Sequence, residues 1–247
     1  MRLSKMLAAL GMASILALAA ASPAAAKGGH GKAFRCNGVF TGVTVKDVLV
    51  PRGGACTLLS STVKGKVKVL EDAYFQSTGT SIKKSVDGHK AQTIFIDTGS
   101  SVRRGVKAHK TAQVFVYNST VGGDIDVKKA HGKVQVCGTT VFRGDIDVKK
   151  SGTDILIGDP LTVGCPGNTV RRGDVRVQQS FTDVELVIRG NSIARGDLLV
   201  LDNSGPSVKF VQDNTGGDTL KCSSNDSPFV AYGNTGWNRM KGQCAGP

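Results

Sequence analysis

The stretch STVGGDIDVKK, Ser119–Lys129, returns about twenty residues later as TTVFRGDIDVKK, Thr139–Lys150. Earlier copies read SSTVKGKVKV (Ser60–Val69) and SSVRRGVKA (Ser100–Ala108), and a later copy reads NTVRRGDVRV (Asn168–Val177). Each copy contains two adjacent polar residues, an apolar residue, a turn of glycine or basic residues, and then alternating apolar residues. A fixed short period of this kind indicates a repeat architecture in which each unit stacks on the next.

The apolar pattern within the repeat predicts short β-strands. QVFVY (Gln113–Tyr117) and KVQVC (Lys133–Cys137) alternate apolar and polar residues, as a half-buried strand does. The apolar residues, such as Val114 and Val116, are therefore expected to point into the core. A sustained helical spacing is missing, and glycine and β-branched residues interrupt each window. The repeat therefore predicts an all-β fold: a single-stranded parallel β-helix, or solenoid, of about nine coils of roughly 20 residues. We expect right-handed winding, because parallel crossovers have that hand.

The start of the chain predicts export. Residues 1–26 combine a basic start, an Ala- and Leu-rich run, and small residues at Ala24 and Ala26, which is the layout of a secretory signal peptide. No later segment is apolar enough for a membrane span. We therefore expect a secreted protein of the extracellular, periplasmic or cell-wall space.

The remaining chain, residues 27–247, is long enough to bury one core and is expected to form one β-helix domain. Both ends of a solenoid need caps. Residues 36–57 are the predicted N-terminal cap region, and residues 214–247 are predicted to form irregular C-terminal coils and a cap. Residues 158–167 are the one long insertion.

Six cysteines test the register of the repeat, because disulfides are expected in an exported protein. Residues one coil apart lie about 5 Å apart, which a disulfide tolerates. The pairs separated by about one coil are Cys36–Cys56, Cys137–Cys165 and Cys222–Cys244. Metal binding is the alternative, but C-x-x-C spacing is missing and the four histidines are scattered along the sequence: His30, His89, His109 and His131. No metal site and no cofactor are therefore expected.

The chain carries 32 Lys and Arg against 19 Asp and Glu, a net charge of +13 at pH 7. Stacked coils place basic residues in a stripe that matches an extended anionic polymer. The candidate ligand-binding residues are Arg103, Arg104, Lys107, Lys110, Lys128, Lys129, Lys149, Lys150, Arg171 and Arg172. The alternative is a solvated face that prevents association. An acidic polysaccharide or envelope polymer is the expected partner; nucleic acid is not, and the oligomeric state stays open.

Two more columns of polar residues follow from the repeat. One is a hydroxyl column: Thr62, Ser81, Ser101, Thr120, Thr140, Thr169, Ser192, Thr215 and Thr235. The other is an aspartate column: Asp124, Asp145, Asp174, Asp197 and Asp218. We expect both to be structural, with the aspartates balanced by Arg143, Arg172 and Arg195 and by backbone N–H groups. Ice binding and calcium binding are the functional alternatives.

Three phenylalanines, Phe75, Phe95 and Phe115, recur at twenty-residue steps. If the alternation is unbroken, they form an outward row that includes Phe210 and serves as a docking strip. The alternative is that a loop covers the row or that the alternation slips.

The coils NTVRRGDVRV and GDIDVKK, with the ending LKCSSNDSPFVAYGNTG…KGQC, resemble a group of secreted bacterial β-helix repeat proteins common in actinobacteria. The resemblance covers roughly residues 36–244. It implies the fold and export, and it supplies no functional residues, because that group has no assigned activity. The present chain has Asp where the group often has Asn, and it has more Lys. The architecture is also loosely similar to pectate lyases and to polymer-forming β-helix scaffolds.

These observations predict a non-enzymatic structural or binding protein that contacts anionic polymers. One alternative is a lyase or glycosidase acting on acidic polysaccharide, but evenly repeated carboxylates do not provide the two unlike carboxylates that a glycosidase needs. The other alternative is a self-assembling envelope scaffold, which cysteine-locked ends oppose. No catalytic residue is assigned.

Overall fold

The computed structural model describes residues 33–245, so the predicted signal peptide lies outside the described residues. The described part contains thirty β-strands and no helix, and the prediction of an all-β fold is confirmed. The strands form three parallel sheets, here called A, B and C. Each coil contributes in turn one strand to sheet C, one to sheet A and one to sheet B.

Sheet A has eleven strands. They are β1 (Phe34–Arg35), β4 (Val48–Val50), β7 (Val67–Val69), β10 (Ser85–His89), β13 (Gly105–His109), β16 (Ile125–Lys128), β19 (Ile146–Lys149), β22 (Val175–Gln178), β25 (Leu198–Leu201), β28 (Thr219–Ser223) and β30 (Arg239–Gly242).

Sheet B has ten strands and sheet C has nine. Sheet B contains β2 (Gly38–Thr41), β5 (Ala55–Leu59), β8 (Tyr74–Thr78), β11 (Thr93–Asp97), β14 (Gln113–Tyr117), β17 (Val134–Cys137), β20 (Gly152–Ile157), β23 (Phe181–Arg189), β26 (Lys209–Gln212) and β29 (Phe229–Tyr232). Sheet C contains the short strands β3 (Thr44–Val45), β6 (Thr62–Val63), β9 (Ser81–Ile82), β12 (Ser101–Val102), β15 (Thr120–Val121), β18 (Thr140–Val141), β21 (Thr169–Val170), β24 (Ser192–Ile193) and β27 (Thr215–Gly216).

Nearly every strand pairs in parallel with the strand of the next coil, so equivalent repeat positions lie one above another. In sheet A, for example, Ile125 lies opposite Ile146 and Val127 opposite Val148. The chain thus forms a parallel β-solenoid of about ten turns, one more than the sequence predicts. The hand of the winding stays a prediction.

The core is built from the alternating apolar residues of each strand. Val114 and Val116 lie on Val134 and Val136 of the next coil, and all four side chains are fully buried. Each inward residue is covered above and below by its equivalents, so one coil cannot bury its apolar face alone. The inward positions predicted from the alternation are confirmed here.

The predicted row of three phenylalanines is wrong at one position. Phe75 lies opposite Ile94 and is fully buried, whereas Phe95 lies opposite Gln76 and pairs with Phe115 on the outer face. The step from β8 to β11 is one residue shorter than the step from β11 to β14, which reverses the direction of Phe75. This slip is the alternative that the sequence left open.

All three predicted disulfides are present. The Cα atoms are 5.4 Å apart in Cys36–Cys56, 4.7 Å in Cys137–Cys165 and 5.2 Å in Cys222–Cys244. Each bridge joins neighbouring coils, as the repeat predicts. Two of them lie near the two ends of the described chain, and the third ties down the insertion.

A ladder of buried polar side chains runs along the corner between sheets B and C. It uses the first of the two adjacent polar residues of each coil: Ser61, Thr80, Ser100, Ser119, Thr139, Asn168, Asn191 and Asn214. The Asn191 Nδ2 donates hydrogen bonds to the Ile157 carbonyl at 2.6 Å and to Asn214 Oδ1 at 2.9 Å, and its Oδ1 accepts one from the Asn168 amide at 3.0 Å. The ladder therefore satisfies backbone groups that the corner would otherwise leave unpaired.

The insertion at residues 158–167 is anchored at its base. Arg189 forms a nearly buried ion pair with Asp159, at 2.7 Å, and the Thr162 hydroxyl donates to the same carboxylate at 2.5 Å. The Leu161 and Val163 side chains are exposed at its tip. Among residues 33–245 there is no helix of the length and apolarity that a membrane crossing requires.

Candidate anion-binding surface

Two residues per coil form the turn that leads from sheet C to sheet A. Val102 and Val170 end their sheet C strands facing the core, and the two residues after each of them face solvent. Arg103 and Arg104 occupy this turn in one coil, and Arg171 and Arg172 occupy it three coils later; all four are exposed. We call these four residues the arginine rim.

Between these two arginine pairs, one coil carries Gly122 and Gly123 at the turn. A Cβ on either glycine would collide with the carbonyl oxygen of the arginine below it, Arg103 or Arg104. Glycine is therefore required by close backbone approach, and the missing side chains leave a notch in the rim.

The notch opens into a groove of about 290 Å³ on sheet C. Hydroxyl groups line its floor: the Ser101 hydroxyl donates to Ser81 Oγ at 3.4 Å, and Thr120 lies opposite Ser101 on the next coil. Lys83 and Arg103 border the groove on the side of the turn. Cations next to hydroxyl groups are the donors that carboxylate, sulfate or phosphate oxygens require.

An aromatic ring forms the far wall of the groove. Phe142 is 37% exposed, and the Arg171 guanidinium lies over its ring with 4.5 Å from Cζ to the ring centroid. This cation–π contact holds one arginine at the groove edge and leaves its N–H donors available. The groove thus combines cations, hydroxyls and an apolar surface.

No carboxylate lies within ion-pairing distance of the arginine rim among the described residues. The nearby aspartates are engaged elsewhere. Asp145 accepts the Asp174 amide at 2.8 Å, and Asp174 accepts the Asp197 amide at 2.8 Å. Arg176 pairs with both Asp145, at 2.7 Å, and Asp174.

This aspartate ladder confirms part of the structural role expected from the sequence and corrects two details. Backbone amides compensate the carboxylates, as expected, but the balancing cation is Arg176; Arg143, Arg172 and Arg195 form no ion pair within residues 33–245. Asp218 lies outside the column, because Thr219 is the residue whose amide binds Asp197, at 2.9 Å. One oxygen of each of these carboxylates therefore accepts a hydrogen bond from a backbone amide of the next coil.

The predicted lysines lie on the opposite edge of sheet A. Lys128 and Lys149 end their strands, and Lys110, Lys129 and Lys150 follow in the turn towards sheet B. Those three have positive φ angles of 56°, 57° and 52°. We call these five residues the lysine rim.

Charges on the lysine rim are partly balanced by carboxylates of sheet A. The Lys128 ammonium lies 3.0 Å from Asp126 Oδ2, and this hydrogen bond raises the pKa of Lys128. Asp147 lies opposite Asp126 on the next coil, and burial, with repulsion from Asp126, raises the pKa of Asp147. Lys107 also lies opposite Asp126, from the other side. This edge is a mixed-charge surface.

The structure therefore separates the ten predicted residues into two rims on opposite edges of sheet A, with Lys107 between them. A strand of five residues places the rims more than about 10 Å apart. The sequence did not predict that Phe142 and the hydroxyl floor form one groove. It also did not predict that Arg176 balances the aspartate ladder. The signal was present, since Phe142 occupies the position of Arg103 and Arg171 in the repeat.

A second concave surface lies on sheet B. Tyr74, Phe95, Phe115 and Tyr117 line a cavity of about 210 Å³, with 5.6 Å between the ring centroids of Phe95 and Phe115. Burial, with nearby carboxylates, raises the pKa values of both tyrosines. Phe210 belongs to the same outward column but lies several coils away.

Comparison with known proteins adds no template for this surface. No family model, curated protein or solved structure matches the chain. The resemblance to the secreted bacterial repeat proteins accordingly stays a prediction, and the chemistry of the groove rests on its own residues. Among the described residues, no group of three or more His, Cys, Asp or Glu side chains is arranged to hold a metal ion.

Proposed function

We propose that the chain is a secreted, non-enzymatic solenoid that binds an anionic envelope or extracellular polymer in the groove beside the arginine rim. An acidic polysaccharide fits best, because the groove offers hydroxyls and an aromatic ring beside its cations. Three disulfides between neighbouring coils are consistent with an oxidising, extracellular location.

One observation carries the proposal: Lys83 and Arg103 line the groove, and Arg171 lies over the ring of its Phe142 wall. None of these three cations has a carboxylate partner among the described residues. An unpaired surface cation is solvated and costs little to bring to an anion. Solubility alone does not require cations to cluster around a groove that is lined with hydroxyl groups.

The solenoid supplies the spacing that a polymer needs. Arg103 and Arg171 are three coils apart, which is about 14 Å along the axis. An extended polyanion lying along the axis contacts successive coils, and each further contact becomes intramolecular. Binding should therefore be strong for a chain and weak for a single charged sugar.

The experiment compares two charge-matched double variants. Arg103→Gln with Arg171→Gln neutralises the groove, and Lys110→Gln with Lys150→Gln removes the same charge from the lysine rim. Polygalacturonate and inorganic polyphosphate serve as carboxylate and phosphate probes, titrated over a series of salt concentrations. We expect the groove variant to bind about tenfold or more weakly, with a salt slope reduced by about two.

The lysine-rim variant should keep most of the affinity. Equal losses of affinity in both variants would show that binding depends only on the total charge and would contradict the proposal. A lack of binding by the unmodified protein at low salt would also overturn it. Monogalacturonate is the control for multivalency, because it offers one contact only.

The same purified protein can be tested for the two alternative functions, an enzyme and a self-assembling scaffold. New ultraviolet absorbance from unsaturated uronates during incubation with polygalacturonate would indicate a lyase, and reducing ends without that absorbance would indicate a glycosidase. Concentration-dependent filaments in sedimentation would indicate a self-assembling scaffold.

A further inference from the structure

Two histidines that are twenty residues apart in the sequence meet on the surface of sheet A. His89 ends β10 and His109 ends β13, and the two residues lie opposite each other in the parallel register. Their Nδ1 atoms are 3.3 Å apart, their ring centroids are 5.2 Å apart, and the ring planes differ by 20°. The sequence suggested scattered histidines, but the solenoid brings these two together.

The two Nδ1 atoms face each other across a hydrogen bond whose donor depends on the tautomer. The Nδ1 atoms are closer to each other than the ring centroids are, so the rings turn these atoms inward. Two imidazole nitrogens that bind one tetrahedral ion at about 2.0–2.1 Å are about 3.3–3.4 Å apart. The observed separation equals that bite.

A neutral imidazole has a free lone pair, and metal binding requires it. The two rings therefore bind a metal ion only in their neutral form.

Two of the neighbouring ammonium groups have carboxylate partners. Lys128, which follows His109 in the same column, pairs with Asp126 at 3.0 Å, and Lys90 pairs with Glu71 at 3.3 Å. These ion pairs reduce the repulsion that a bound cation would meet at this edge.

We propose that His89 and His109 together bind one first-row divalent transition-metal ion through their Nδ1 atoms. Imidazole pairs suit Zn²⁺, Ni²⁺ and Cu²⁺. Residues 33–245 supply no third His, Cys, Asp or Glu to this site, so the remaining coordination positions are open to water or to an oxygen ligand. The site lies on the edge of sheet A opposite the arginine rim and is independent of the groove.

The test uses the mature chain with ¹⁵N-labelled histidine, titrated with ZnCl₂ and followed by NMR of the ring nitrogens and by calorimetry. We expect one ion per chain and a simultaneous shift of the Nδ1 resonances of His89 and His109. The variant His89→Asn should abolish the shift at His109 as well, because one imidazole alone loses the chelate.

The matched controls are His131→Asn and His30→Asn, which remove the other two histidines and should leave the binding intact. His89 and His131 are exposed, and melting curves of all three variants verify folding. Absence of binding at millimolar Zn²⁺, a shift at Nε2 rather than Nδ1, or retained binding in His89→Asn would each overturn the proposal.

Discussion

The two adjacent polar residues that open each coil differ in burial and in their hydrogen bonds. The first, such as Asn191, is buried and hydrogen-bonded to the coils above and below. The second, such as Ser192 one residue later, is exposed on sheet C. At Ser81, Ser101 and Thr120, the outer column forms the hydroxyl floor of the groove.

This contrast teaches where function can reside in a solenoid. Inward polar groups satisfy the backbone at the corners, so changing them changes the fold. Outward polar groups are free to vary from coil to coil, and only there can one stretch of a regular repeat become a site.

The largest effect is expected at Asn191. Asn191→Ala removes the donor to the Ile157 carbonyl and the acceptor for the Asn168 amide, which leaves both groups buried and unpaired. We expect a loss of about 3 kcal/mol in the free energy of unfolding, measured by urea denaturation. Ser192→Ala is the matched neighbour and should change little; equal losses would remove the distinction between the columns.

Two adjacent residues of the lysine rim, Lys128 and Lys129, should respond in opposite ways to replacement by glycine. Lys129 has a φ of 57°, which disfavours a side chain, so Lys129→Gly should raise the free energy of unfolding by about 0.5–1 kcal/mol after the entropy cost of glycine. Lys128→Gly, within strand β16, should instead destabilise the protein, since it also removes the ion pair with Asp126. Both are compared in the same denaturation assay.

Phe142 should matter for binding rather than for stability. Phe142→Ala removes the ring beneath the Arg171 guanidinium, and we expect polygalacturonate affinity to fall about two- to fivefold. Phe142→Tyr keeps a ring and should retain the affinity. A variant that melts early without losing affinity would place Phe142 among the structural residues instead.

Asp147 shares features of the inward and the outward polar residues. Its side chain faces outward, but one of its oxygens is buried and has no hydrogen-bond partner. Burial raises its pKa, so the fold favours the protonated form and ionisation lowers stability at neutral pH. Asp147→Asn should stabilise the protein slightly at pH 7, and the gain should vanish below the ordinary aspartate pKa of about 3.9. The nearby Lys128 and Arg176 limit the effect.

The control for this prediction is Asp126→Asn. It relieves the repulsion on Asp147 but also removes the carboxylate that binds Lys128, so a smaller gain at pH 7 than that of Asp147→Asn is expected. A gain for Asp147→Asn that persists in acid would show that its origin is not electrostatic.

Much of the fold could be predicted from the sequence, because each coil of a solenoid repeats the same pattern of strands and turns. The twenty-residue period and the two-residue alternation predicted the coils, the inward Val114 and Val116, and all three disulfides. The reversal of Phe75 was not predictable, since one residue fewer in a turn inverts a strand while the sequence keeps an apparent twenty-residue step.

The site was predicted only in outline. The sequence identified Arg103 and Arg171 as basic repeat positions, but their relation to Phe142 depends on the notch that Gly122 and Gly123 leave between them. The split of one basic stripe into two rims depends on the width of sheet A. The meeting of His89 with His109 required the exact register of two strands, which scattered positions do not reveal.

The central claim, that the groove rather than the total charge receives the polymer, is tested most directly by footprinting. The chain is treated with an arginine-selective dicarbonyl reagent with and without polygalacturonate, and modified residues are quantified by mass spectrometry. The account predicts strong protection of Arg103 and Arg171 and little protection of Arg52 and Arg239, which lie at opposite ends of the solenoid. Uniform protection of all four arginines, or none at Arg103 and Arg171, would contradict it.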